Sequence, residues 1–260
     1  MNASAYITDL ASRGTYCFTT DETVRALGTS PVAARAALRR LERRGDIAHP
    51  FRGFHVIVPP EYRRLGCLPA EQFVPQLMAH LEEPYYVALL SAAELHGAAH
   101  QRPQSFQVML RTNRRPLACG KVRVQFVARR DLETTPTVEK NTPRGTVRVS
   151  SPEATALELV GYADQSGGLD NVASVLADLA EAIDPKKLAT AARLCPIAWV
   201  QRLGYLLEVV EHDDLAKPLD AVVRERAVVV APLVRAKPIA HAERNRRWKL
   251  AVNARVEPDQ

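Results

Sequence analysis

Catalytic signatures are missing from this 260-residue chain, which contains no G-x-S-x-G, no H-E-x-x-H, no Walker loop and no G-x-G-x-x-G. A nucleophile elbow, a zinc-protease helix and the common glycine-rich phosphate cradles are thereby excluded as the basis of its function. Cysteine is sparse. Cys17, Cys67, Cys119 and Cys195 stand far apart with no C-x-x-C pair, so spacing suggests neither a zinc knuckle nor a redox dithiol, and buried free thiols are expected. Long apolar runs are absent as well. The nearest, AVVVAPLV at residues 227–234, is broken by Pro232 and falls short of the roughly 18 residues of a membrane-crossing helix. The opening MNASAYITDLASRG lacks a basic n-region and places Asp9 where an apolar stretch should run, which argues against a secretory signal and for a cytoplasmic protein. No fixed-period repeat or low-complexity tract is visible, which removes solenoids from consideration.

What remains is a globular composition, 47% apolar and 25% charged, in a chain long enough for two domains at roughly 100–200 residues each. Lysine and arginine number 35 against 29 acids, a net charge of +6, and so small an excess specifies a partner only where it is clustered. It is clustered between residues 31 and 53, where arginines at 35, 39, 40, 43, 44 and 52 meet only Glu42 and Asp46.

Local signals around that cluster predict three helices and a hairpin. Tyr6, Ile7 and Leu10 share a face before Gly14. Thr19 or Thr20 caps a second helix, with Asp21 and Glu22 in its first turn and Gly28 at its end. Ser30 followed by Pro31 starts a third, because proline at the first helical position forfeits only an amide hydrogen that has no partner there. Gly45 closes it, and DIAHP and GFHVIVP then read as extended pieces around a Pro50-Phe51-Arg52-Gly53 corner. This is the order of a winged helix-turn-helix. Pro59-Pro60 interrupts the pattern. The expected fold is therefore α+β, with a winged helix-turn-helix over residues 1–58 and a larger mixed α/β domain, mostly helical with a small sheet, over 59–260. In the second part PAEQFVPQLMAHLEE and YYVALLSAAELHG read as helices, the first bent or split at Pro75. SFQVMLR, KVRVQFVARR and GTVRVSS read as strands. Most of the chain beyond Ser151 reads as helix, with RRWKLAVN as a closing strand.

On the third helix, at about 100° per residue, Ala34, Ala37, Leu38 and Leu41 gather on one side. Val32, Ala36, Arg39, Arg40 and Arg43 gather on the other, with Arg35 and Arg44 on the flanks. Small residues toward the N-terminal end let a helix approach base edges while the guanidinium groups beyond them reach phosphate or guanine. The candidate contacts to double-stranded DNA are Thr20, Ser30, Val32, Arg35, Ala36, Arg39, Arg40, Arg43 and Arg44, with Arg52 and Gly53 at the wing. A module making about four phosphate contacts binds weakly alone, so self-association or cooperative binding on inverted repeats is expected. A second basic set, Arg111, Arg114, Arg115, Lys121 and Arg123, surrounds the turn of an expected hairpin and reads either as a solvated turn or as secondary phosphate contacts. His96 and His100 are spaced i, i+4 near Glu94, but Gly97 interrupts them and no further ligand is evident. Asp213 and Asp214 with Lys217, and Glu139 beside Lys140, have simpler accounts as caps or turns. No metal, cofactor or catalytic residue is assigned.

The segments YYVALLSAAELHGAAHQRPQSFQVML, GKVRVQFVARRDL, VRVSSPEATALELVGYADQSGGLDNVASVLADL and QRLGYLLE, with TSPVAARAALRRLERRGDI and GFHVI before them, resemble the AbiE-type (AbiEi) antitoxins of type IV abortive-infection toxin-antitoxin operons. Glu158 stands where an aspartate is the family's habit. The resemblance spans nearly the whole chain and implies a non-enzymatic DNA-binding antitoxin. Its N-terminal winged module would repress the operon's own promoter at inverted repeats. Its C-terminal domain would counter a nucleotidyltransferase-like toxin encoded next door, without requiring a stable complex. Ser30 to Arg44 match the recognition helix, and Arg52-Gly53 the wing. Two other readings stay open from the residues alone: a stand-alone transcriptional regulator with an effector-binding C-terminal domain, and a DNA-directed metal-dependent enzyme.

Overall fold

The computed structural model describes residues 1–98 and 103–258, and over these the chain is α+β, with ten α-helices and three sheets. It opens with α1 (Ala3–Ser12), β1 (Cys17–Thr19), α2 (Thr20–Leu27), α3 (Pro31–Arg43), β2 (Ile47–Phe51) and β3 (Phe54–Ile57). Each helix begins where a side chain supplies an acceptor: Asn2, Thr19 and Ser30 accept from the amides of Ala5, Glu22 and Ala33. Thr19, not Thr20, is the cap of α2, and Glu22 returns a bond to its amide in a reciprocal capping box. β1 pairs antiparallel with β3, giving the order β1-β3-β2. At three residues, β1 is too short for a period-two signal.

β3 is buried along its whole length because two cores use it. Ile57 joins Tyr6, Ile7, Phe18, Leu38, Leu41 and Ile47 in one. Phe54 and Val56 join Phe73, Leu77, Val108, Leu110 and Val124 in the other. Burial on both faces, rather than alternation, accounts for the apolar run of this strand.

The chain continues through α4 (Val74–His80), β4 (Tyr85–Val87), α5 (Leu89–Leu95), β5 (Phe106–Leu110), β6 (Leu117–Cys119), β7 (Val122–Ala128), β8 (Thr137–Thr142) and β9 (Gly145–Ser150). The sheet these strands form has six members in the order β6-β7-β5-β4-β9-β8, more than the small sheet expected. Two further expectations are corrected by the structure. Tyr85-Tyr86-Val87 forms a strand rather than the first turn of a helix: aromatic and β-branched residues suit a pleated surface, and α5 starts only after Ala88. The segment carrying Pro75 is split as expected: a short 3-10 turn at Ala70–Gln72 ends at Phe73, and Pro75 lies in the first turn of α4, where its missing amide hydrogen costs nothing. β5 and β7 are parallel neighbours, so residues 111–116 connect to β6 and the hairpin turn is Gly120-Lys121.

The remainder comprises α6 (Pro152–Gly161), α7 (Gly168–Leu179), α8 (Pro185–Arg193), α9 (Ile197–Val209) and α10 (Asp213–Arg226), then β10 (Ala231–Pro232), β11 (Glu243–Asn245) and β12 (Leu250–Val252) in the order β10-β12-β11. Two compact units result. The first takes residues 1–86, 104–132 and 139–148, and the second the other described residues. In the second, the two tryptophans close on glycines: a β-carbon on Gly161 would stand 2.3 Å from Trp199, and one on Gly204 would stand 2.2 Å from Trp248.

Trp248 is fully buried, so its ring has no solvent to retreat into. Gly204→Ala should therefore destabilise the chain by about 1–3 kcal/mol, the usual cost of overpacking, read as a lower urea midpoint with an unchanged slope. An unchanged midpoint would contradict this packing.

Candidate nucleic-acid interface

α3 carries its apolar stripe inward, with Ala34, Ala37, Leu38 and Leu41 buried. The opposite side is open to solvent. Val32 is 72% exposed, an apolar side chain left in water near the start of the helix. Ala36, Arg39, Arg40 and Arg43 are exposed, and the three guanidinium groups have no hydrogen bond or ion pair among the described residues. Arg40 and Arg43 lie in the last turn, where the helix dipole favours a cation.

The flanking arginines are occupied. Arg35 Nε donates to the Pro31 carbonyl at 3.1 Å. Arg44 Nε donates to Asp46 Oδ2 at 2.8 Å, and its Nη2 to Ser4 Oγ at 2.9 Å. Arg63 closes the same knot, donating to Asp46 Oδ1 at 2.7 Å and to the Arg44 carbonyl at 2.8 Å. One carboxylate thus holds two guanidinium groups at the end of α3, and the arginines divide into a free set and a tied one. Nothing in the sequence singles out Arg63. Its role depends on a fold that returns residue 63 to residue 46, which no local pattern signals.

The corner between β2 and β3 turns on Arg52 and Gly53. Gly53 has φ +76, and a β-carbon there would meet nothing within 4 Å, so backbone conformation rather than crowding calls for glycine. Arg52 is exposed at the tip. The Gly53 carbonyl accepts from the Thr20 amide at 2.9 Å, tying the corner to the start of α2. Thr20 Oγ1 lies 3.0 Å from His55 Nε2, so this hydroxyl serves the packing of the module. Ser30 is likewise engaged, as the cap of α3. The His55 ring stacks between Phe18, at 5.4 Å, and His49, at 4.8 Å. Its Nδ1 is buried without a partner among the described residues. Burial first, and the neighbouring His49 second, push the His55 pKa down to about 4.

The second basic set lies on two connections. Arg111, Arg114 and Arg115 follow β5, Lys121 sits in the β6–β7 turn and Arg123 on β7. Arg114 pairs with Glu83 and lies 5.7 Å over the Phe51 ring, which joins this set to the strand entering the corner. Arg123 is spent on the Gly120 and Val122 carbonyls at 2.8 and 3.0 Å. Arg111, Arg115 and Lys121 are exposed.

Among the sequence candidates for chemistry, His96 Nε2 lies 2.7 Å from the Ser150 carbonyl oxygen, and His100 falls outside the described residues. Asp213 stands 3.6 Å from Arg247, while Glu139 and Lys140 lie on β8. Among the described residues no group of three or more His, Cys, Asp or Glu could hold a metal ion. No described helix is long and apolar enough to cross a membrane.

Residues 86–209, from within β4 to the end of α9, match the model of the AbiEi antitoxin C-terminal domain. That stretch of the chain resembles an AbiEi antitoxin C-terminal domain. No curated protein matches the sequence. Among solved structures, the chain is similar to the Rv2827c protein from Mycobacterium tuberculosis, with 19% identity and a TM-score of 0.67 over 95% of this chain and 90% of that one. An antigenic nucleotidyltransferase-like protein from Paracoccidioides brasiliensis matches at 14% identity and a TM-score of 0.36 over 58% of this chain and 91% of that one, a score at which no common fold follows. The likeness to Rv2827c extends beyond residues 86–209 to the N-terminal elements and is a likeness of fold. α1 to β3, with the arginine face, precede the matched stretch in the chain.

His55 makes the stability of those N-terminal elements depend on pH. Its folded pKa of about 4 lies below its ordinary 6.5, so the unfolded chain binds the proton more readily, and stability that is full above pH 6.5 falls as the pH drops toward 4. Thermal unfolding from pH 7.5 to 4.5 should show His55→Gln with a flatter decline than wild type. Equal declines would remove His55 as the source.

Proposed function

We propose that this protein is a DNA-binding antitoxin that represses its own toxin-antitoxin operon and counters a nucleotidyltransferase-like toxin. The order α1-β1-α2-α3-β2-β3 is that of a winged helix-turn-helix, with α3 as the recognition helix and Arg52-Gly53 as the wing. The observation that carries the reading is the free set of guanidinium groups at Arg39, Arg40 and Arg43, on a helix whose other side is committed to the core. Val32 and Ala36 leave room for close approach to base edges, while the arginines and Arg52 reach phosphates. Arg44 acts as a positioning residue, holding the end of α3 through Asp46. Arg115 and Lys121 add secondary phosphate contacts beside the wing. A single module of this size makes few contacts, so two copies bind an inverted repeat in the operon's promoter.

Residues 1–58 form the DNA-binding domain in this reading, and residues 59–260 the antitoxin domain, which acts without chemistry of its own and without a stable complex with the toxin. The AbiEi match supports this second assignment.

Replacing Arg39, Arg40 and Arg43 together with alanine should abolish binding to the upstream region of the chain's own gene at physiological salt. At low salt it should lower the slope of log affinity against log salt by about 2.7, at roughly 0.9 for each phosphate left unneutralised. Fluorescence anisotropy over a salt series measures both, and an unchanged slope would reject α3 as the contacting face. Deleting residues 1–58 should end repression of a promoter reporter while sparing rescue of cells that express the neighbouring toxin. Loss of rescue by a folded truncation would contradict the division of labour.

A further inference from the structure

We propose that the second unit holds a binding site for the phosphoryl group of a small metabolite, in the cavity lined by Arg202 of α9. This goes beyond the DNA-binding reading and does not rest on it. Arg202 is only 4% exposed. Its Nε donates to the Pro232 carbonyl at 2.9 Å, and neither amino end has an acceptor among the described residues. A guanidinium removed from water ordinarily has a carboxylate beside it, because an unpaired charge is costly to desolvate. Here burial first, and the like charge of Arg235 second, draw the Arg202 pKa down to about 10.

The cavity has a volume of about 500 Å³, larger than a bare phosphate ion needs and within the roughly 300–1,000 Å³ of small-molecule sites. Arg235, Lys237 and Arg255 line it with Arg202. Arg255 is paired with Glu257 at 2.7 Å, and Asp170, also on the wall, accepts from the Glu257 amide at 2.9 Å. That leaves Arg202, Arg235 and Lys237 without an anionic partner among the described residues, against the two exposed carboxylates of Asp164 and Asp170. The first turn of α7 also borders the space at Gly168, and this helix has no side-chain cap. Unused amides and the positive end of a helix dipole face an anion favourably. Three free cations and a helix terminus supply more positive charge than the two carboxylates neutralise, and suit the negative charge and multiple acceptor oxygens of a phosphoryl group. Tyr162, set edge-on to Trp199 at 5.3 Å, gives the cavity an aromatic wall for the rest of the ligand.

Titration of the full-length chain with inorganic pyrophosphate tests the site, followed by calorimetry and by the melting temperature against sodium chloride of equal ionic strength. Saturable binding and a rise in melting temperature beyond the salt control are expected. Arg202→Gln should weaken binding about tenfold or more, the loss of a charge-assisted hydrogen bond. Without ligand, this variant should melt no lower than wild type, because it sheds an uncompensated charge while Gln retains a donor for Pro232. Arg235→Ala with Lys237→Ala changes only exposed side chains and should also weaken binding, which keeps the test decisive if Arg202→Gln fails to fold. The triple alanine variant of α3 should bind pyrophosphate as wild type does. The proposal is overturned if pyrophosphate does no more than the salt, or if binding survives both cavity variants. It is also overturned if binding disappears with the α3 arginines instead, or if citrate at equal ionic strength serves as well as pyrophosphate.

Discussion

The buried stripe of α3 fixes the azimuth of the helix, and with it the direction of every arginine the helix carries. Ala34, Ala37, Leu38 and Leu41 are all buried, with Leu38 and Leu41 packing into the core built by Tyr6, Ile7 and Phe18. A rotation of one residue, about 100°, would trade a leucine in that core for a guanidinium, exchanging a gain of a few kcal/mol for the larger cost of an unpaired charge out of water. The outward direction of Arg39, Arg40 and Arg43 thus follows from the hydrophobic effect acting on the other side of the same helix.

Charge was legible in the sequence as a count, and the structure sorts it. Arg44 and Arg63 share Asp46, so the acid that reduces the local excess also determines which arginines lose their freedom. Arg63 reaches Asp46 across 17 residues and Arg114 reaches Glu83 across 31, separations at which sequence proximity says nothing. The faces of α3 and its Ser30-Pro31 start could be read because a helix of 13 residues repeats its period more than three times. The glycine at the corner could be read because φ +76 leaves few alternatives. β1, with three residues, and β8, whose Thr-Val-Glu-Lys-Asn-Thr is mostly polar, offered no apolar alternation and entered only through their partners.

α6 shows why the second unit was legible as a family pattern yet silent about chemistry. Every residue from Glu153 to Val160 is buried, so the helix has no polar side to betray its orientation. Its polar residues serve the interior. Glu153 accepts from the Asp184 amide at 3.1 Å, Asp184 in turn caps α8 through the amides of Lys186 and Lys187, and these bonds hold the Asp184 carboxyl below its usual range. Thr155 and Ser150 bond each other at 2.7 Å. A stretch specified so fully by packing announces an architecture, and function has to be argued from groups that packing leaves over.

Arg202 is such a group, and its neighbours make the contrast. In Gln201-Arg202-Leu203-Gly204, Gln201 donates to the Val229 and Lys249 carbonyls at 3.2 and 2.8 Å, Leu203 is fully buried, and Gly204 lies under Trp248. Each of these three has its cost of burial met within the protein. The guanidinium between them has one bond, to a carbonyl, and a cavity. A methionine of similar reach would fill the same position with a hydrophobic gain and no desolvation penalty, so packing alone does not account for arginine there. An anion entering from solvent supplies the missing half of the interaction.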